Sequence, residues 1–146
     1  MIAKPALDIA GALAIGHYTH EKNPVTCRAA LTTIEIIEDE GLVEKARVLG
    51  AYALERLHAM KDRHPLIGDV RGRGLLLGIE LVRDRASKEK ASDQADDVLY
   101  HALDRGLSFK TTMGNVLTLS PPLTIAKAEL DRALDIVEEC IGAVAV

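Results

Sequence analysis

The sequence predicts an α+β fold, with helices packed on one face of a small, mostly antiparallel sheet. Three observations predict it. Apolar residues recur at helical spacing over 24–40, 43–63, 93–105 and 126–142. Leu/Ile/Val-rich runs at 67–70 and 75–82, and shorter runs at 107–110 and 115–119, have the look of strands, with glycines at their turns. The resulting order is helix-helix-strand-strand-helix-strand-strand-helix, with no internal repeat.

Residues 1–22 have no clear period, and the Ala/Gly/Leu run at 9–15 lacks the bulk for a core of its own. This stretch is expected to be a connector that leans on something else, with one domain over 23–146. On its own it is expected to be disordered, swapped, or packed on another copy. Asn23 can cap the first helix, and Pro24 sits at the first helical position, where its missing N–H costs nothing. Cys27, Ala30, Leu31, Ile34 and Ile37 give that helix an apolar face, and Gly41 fits the position just past its end. The second helix places Ala46, Leu49, Ala53, Leu57 and Met60 on one side and stops at His64-Pro65.

The period then changes. Gly72 and Gly74 separate two strand-like runs, as a tight turn or bulge would. The charged stretch 83–92 (Arg83, Asp84, Arg85, Lys88, Glu89, Lys90) is expected to be a mobile loop. In the third helix Ala95, Val98, Leu99 and Ala102 point inward and Gly106 is the stop. Two short strands follow, joined by a Thr111-Thr112-Met113-Gly114 turn. The last helix carries Leu130, Ala133, Leu134, Val137, Cys140 and Ile141 on one side.

A chain of 146 residues, 48% hydrophobic, can bury one real core. Aromatics are 3% and Trp is absent, so Leu, Ile, Val and Ala must fill it. A formal net charge of −4, with Lys and Arg spread along the chain, argues against a nucleic-acid surface. No run of 18 apolar residues suggests a membrane span, and the N-terminus does not read as a secretory signal. Cys27 and Cys140 both fall in apolar helical patterns and are expected to be buried reduced thiols of a cytoplasmic protein. No metal-ligand spacing is present.

The segment Gly-His-Tyr-Thr-His-Glu-Lys-Asn-Pro at 16–24 concentrates polar groups before a helix start. A hydroxyl such as that of Thr19 in this position suits an anion such as phosphate. His17 and His20 with Glu21 could suggest a metal or a base, but no third ligand is close, and surface or interface histidines are the plainer reading. Tyr18 could pack at an interface or line a channel. Arg71 and Arg73 could each clamp a carboxylate by their fork geometry. The favoured reading is that Arg71 pairs with an acid or a carbonyl to hold the turn. Gly72 and Gly74 serve backbone geometry, because Gly-Arg-Gly lacks the spacing of a phosphate loop.

Four pieces occur in a telling order: Thr19 with Asn23-Pro24; Glu38-Asp39-Glu40-Gly41-Leu42; Ile67-Gly68-Asp69-Val70-Arg71-Gly72-Arg73-Gly74-Leu75; and Pro121-Pro122-Leu123-Thr124. Together they resemble the C-terminal part of class III (ornithine/4-aminobutyrate-type) pyridoxal-phosphate aminotransferases, over roughly residues 4–142. The resemblance implies the small C-terminal domain of a fold-type I enzyme, with 1–22 leading from a large cofactor-binding domain. It implies that Thr19 contacts the cofactor phosphate in the partner subunit of a homodimer or higher oligomer. In this chain His20-Glu21-Lys22 stands where many relatives have Phe-Gly-Gly.

Many members carry an Arg at the position of Thr118 that grips the substrate's α-carboxylate. A threonine cannot replace that fork, so the resemblance implies an ω-amino acid or amine as donor and a 2-oxo acid as acceptor. The cofactor-binding lysine is expected upstream of this chain, since none of the lysines at 4, 22, 45, 61, 88, 90, 110 and 127 has its context. No catalytic residue is therefore expected within the chain, which alone would be inactive. Two alternatives stand beside this: a lyase or decarboxylase on the same scaffold, or a non-catalytic α+β association domain.

Overall fold

A computed structural model describes residues 23–144. The chain divides into two compact units, Met1–Asp39 and Glu40–Val146. In the first unit the described residues form helix α1 (Pro24–Asp39). The Asn23 side-chain oxygen accepts from the Val25 N–H at 2.9 Å, and its carbonyl accepts from Cys27 at 3.0 Å. This is the cap that the Asn-Pro pair foretells. None of α1 is buried, and Cys27 is exposed. The expectation of two buried thiols therefore holds only for Cys140, which is fully buried. A periodic stripe marks which face could be buried, and burial itself needs a covering surface.

In the second unit α2 is entered through Gly41, whose φ of +60° is the left-handed conformation that glycine tolerates best. Helix α2 (Leu42–Arg63) buries Leu42, Leu49, Gly50, Ala53, Leu57 and Met60. It ends where His64, extended at φ −118°, precedes Pro65. Strands β1 (Ile67–Arg73) and β2 (Leu76–Asp84) form an antiparallel hairpin. Its turn, Gly74-Leu75, lies against α2 at Gly50. A Cβ on Gly50 would sit 2.1 Å from the Gly74 carbonyl oxygen, so only glycine allows this approach.

The charged stretch after β2 is a second hairpin rather than a loop. β2 continues to Asp84 and pairs with β3 (Glu89–Lys90). The Asp84 carboxylate accepts from the Ser87 N–H at 2.6 Å. Arg83 pairs with Glu89 and Asp93 at 3.2 and 2.8 Å. The Arg85 guanidinium donates to the carbonyls of Ile67, Lys61 and His64. The charges that read as solvated are thus spent on fastening the turn.

Helix α3 (Ser92–Asp104) buries Ala95, Val98 and Ala102 and ends before Gly106, at φ +82°. Residues 107–109, expected to be strand, form an irregular connection. Strand β4 (Lys110–Thr112) begins later and takes in Thr111 and Thr112, which were expected in the turn. Strand β5 (Val116–Leu119) follows, and helix α4 (Lys127–Val144) closes the unit. All strand pairs are antiparallel, in the order β1-β2-β5-β4 with β3 flanking β2.

One apolar cluster joins α2, α3 and α4 to the strand face that bears Leu77, Ile79, Leu81, Leu117 and Leu119. Asn115, 1% exposed, extends the ladder past β5: its side-chain amide donates to the Leu81 carbonyl, and its own carbonyl accepts from the Leu81 N–H. Ion pairs of Arg56 with Asp131 and Asp135, and of Arg63 with Glu138, fasten α4 to α2.

Candidate functional site

Side chains alternate across a sheet, so the residues between the core positions share the opposite face. Register places Arg71, Gly78, Thr118 and Lys110 side by side across β1, β2, β5 and β4. The next row is Asp69, Glu80, Val116 and Thr112. None of helices α2, α3 and α4 contributes its apolar stripe to this face, because all three are committed to the core cluster on the other side.

Charge on this face is sorted. The Arg71 guanidinium donates to Asp69 at 2.9 Å and to Glu80 at 2.6 Å. Hydrogen bonding from Arg71 holds the Asp69 carboxyl below its ordinary range, against the opposing pull of desolvation. Arg71 therefore ties β1 to β2, as favoured from the sequence, and its positive charge is already matched. Arg73 is exposed and makes no ion pair among the described residues. Gly72 and Gly74 serve the backbone: a Cβ on Gly72 would meet the Leu76 carbonyl at 2.6 Å, and Gly74 has φ +55°.

Between the β4–β5 end of the sheet and α4 a groove of about 460 Å³ opens. Phe109, Lys110, Thr118, Ser120, Pro121 and Ile125 line it, with Leu130 and Leu134 of α4 at its back. The Thr118 hydroxyl is hydrogen-bonded to that of Thr112 at 2.8 Å. Glu129 also lines the groove, but its carboxylate accepts from the Ala126 N–H at 2.8 Å and caps α4.

Sequence reasoning singled out Thr118 and missed Lys110 and Thr112. The signal that could have found them is the pairing register, which places Lys110 opposite Thr118 once β4 is known to start at residue 110. Thr19 lies outside the described residues, as do His17, Tyr18, His20 and Glu21. Among the described residues no group of three or more His, Cys, Asp or Glu could hold a metal ion. No described helix is long and apolar enough to cross a membrane.

The set of strands and helices is that of the small domain of fold-type I pyridoxal-phosphate transaminases. An amine transaminase from an uncultivated Pseudomonas species, in its PLP-bound form, superposes with a TM-score of 0.84 at 30% identity, covering 92% of this chain and 31% of that one. A Bacillus anthracis aminotransferase superposes with a TM-score of 0.78 at 39% identity, over 83% and 28%. The class-III aminotransferase family matches residues 7–141, and the chain belongs to that family.

Relatives include the (R)-1-hydroxy-2-aminoethylphosphonate ammonia-lyase of Vibrio splendidus, 50% identical over 99% of this chain and 30% of that protein. The leucine/methionine racemase of Thermococcus litoralis is 49% identical over 88% and 29%. The chain thus spans about 30% of the length of these relatives. The cofactor of the complete enzymes of this family is pyridoxal phosphate.

Among the described residues no lysine is placed as an amine that binds that cofactor would be. A lysine that binds it must sit with its amine uncommitted in an enclosed place. Here no described lysine is buried, and several amines are engaged: Lys45 donates to the Thr124 carbonyl, Lys90 to that of Met113, and Lys127 to Asp131.

Proposed function

We propose that the chain is the substrate-side small domain of a pyridoxal-phosphate enzyme that takes the amino group of an ω-amino acid or amine and passes it to a 2-oxo acid. The observation that carries this reading is Thr118. Its hydroxyl is tied to Thr112, and no arginine is among the described residues that line the groove. An α-carboxylate would thus find no two-pronged guanidinium here. The cofactor, when bound, supplies an electron sink; the residues of this domain bind and exclude.

Residues 1–22 would connect to the large domain, with Thr19 donating a hydrogen bond to the cofactor phosphate of the partner subunit in a cytoplasmic homodimer. By this reading the 146-residue chain alone is inactive.

A second reading, loss of the amino group as ammonia, is favoured by the 50% identity to an ammonia-lyase across nearly the whole chain. A racemase at 49% adds that amino-acid substrates with an α-carboxylate occur among the relatives. The test uses the complete protein with pyridoxal phosphate, 4-aminobutyrate or (R)-1-hydroxy-2-aminoethylphosphonate, and pyruvate present or absent. Alanine formed only with pyruvate supports amino transfer. Ammonia released without an acceptor favours elimination and overturns the first reading. Neither product overturns both.

A further inference from the structure

We propose that Lys90 is a latch on the turn between β4 and β5. It holds Met113 in a left-handed backbone conformation, and its release opens residues 113–115 and loosens β4 without unfolding the rest of the unit.

The argument begins with strain. Met113 has φ +56° and is followed by Gly114 at φ +83°. Glycine accepts that region readily, whereas a side chain crowds it, so the turn is strained at Met113. The Met113 side chain is 78% exposed and offers no packing to offset the strain. What keeps the conformation must therefore act on the backbone, because strained residues persist only where their surroundings over-determine them.

The contacts around the turn are of that kind. The Lys90 ammonium, at the end of β3, donates to the Met113 carbonyl at 3.0 Å. Asn115 is tied to Leu81 of β2 twice, through its side-chain amide and through its carbonyl. The Leu81 carbonyl also accepts from the Ala91 N–H at 3.2 Å, so the turn and the backbone next to Lys90 share one anchor. A Cβ on Gly114 would come within 3.3 Å of the Ser92 hydroxyl oxygen, which sets the start of α3 against the same turn. Among the described residues Lys90 is the side chain that hydrogen-bonds Met113 itself.

Strand β4 gives the latch its reach. It has three residues and pairs with β5 alone, and its ladder ends at Thr112, beside the latched residue. So short an edge ladder has little stability of its own, and the state of the turn carries over to it.

Amide hydrogen exchange of the 146-residue chain, followed by NMR beside a urea melt, tests this. In Lys90→Met, exchange over 110–116 should rise about fivefold, as the loss of one exposed hydrogen bond allows, with the amides of α2 and the urea midpoint unchanged. Lys90→Arg should return exchange to within about twofold of the parent, and Lys88→Met, an exposed lysine of the neighbouring turn, should change nothing. Met113→Gly removes the crowding, so in that background the effect of Lys90→Met should shrink to about twofold or less. Exchange in Lys90→Met equal to that of the parent overturns the proposal. So does a rise spread over α2 and α4 with a lower urea midpoint, which would make Lys90 a part of the general stability. An undiminished Lys90→Met effect in the Met113→Gly background overturns it as well, since Lys90 would then not act against the strain at Met113.

Discussion

The two faces of the sheet are made from the same four strands and obey opposite rules. One carries Leu77, Ile79, Leu81, Leu117 and Leu119, each at most 7% exposed, locked under three helices. The other carries Arg71, Glu80, Thr118 and Lys110, all at least partly exposed, and its contacts are hydrogen bonds and ion pairs. The contrast teaches where stability and recognition reside. Apolar burial on the helix side supplies most of the sheet's stability, and the polar rows of the other side are held in register with only a small contribution from their own ion pairs.

The sharpest way to break this contrast is in the core face. Leu117→Ala removes a fully buried side chain from the centre of the cluster and should cost about 3 kcal/mol, read as a lower denaturant midpoint. A cost under about 1 kcal/mol would mean that the helix side does not hold the sheet.

A somewhat smaller loss is expected where helix meets hairpin. Gly50→Ala would ordinarily stabilise a helix by up to about 1 kcal/mol. Here its Cβ would meet the Gly74 carbonyl, so a net loss of about 2 kcal/mol is expected from overpacking. A gain on thermal melting would show that the α2–hairpin approach is loose.

The smallest effect belongs to the open face. Arg71→Ala should cost less than about 1 kcal/mol at neutral pH, as for other exposed ion pairs. Its acid dependence is directional. Because Arg71 holds the Asp69 carboxyl below its ordinary value of 3.8, the folded state binds fewer protons than the unfolded one in that range. The contribution is thus present above about pH 4 and lost as pH falls through the lowered value. Parent and variant should converge in stability on acidification, checked by urea melts from pH 7 to pH 3. A gap that persists at pH 3 would mean that Arg71 acts through its packed stem rather than its charge.

Much of this fold was legible in the residues. Asn23-Pro24, Gly41, His64-Pro65 and Gly106 mark element ends because their backbone preferences are local, and most of the helical stripes of α2, α3 and α4 reappear as buried residues, with Ala46, Leu99 and Ala133 only half-buried. The hairpin at 83–90 was not legible, because Arg83 and Arg85 look solvated until Glu89, Asp93 and the carbonyls of Lys61, His64 and Ile67 are brought to them. Likewise Thr112 was read as a turn residue, since where a short strand begins is decided by its partner β5 and not by its own three residues.

The sequence by itself determined the fold class, the order of every element but β3, and the family through the order of its motifs. It also showed that Thr118 is no guanidinium, since side-chain chemistry travels with the residue. Only the tertiary structure decided that Arg71 is neutralised by Asp69 and Glu80, that Glu129 is engaged at a helix start, and that Lys110 stands opposite Thr118. Those facts depend on strand register and on contacts between residues far apart in the chain, which local preference does not specify.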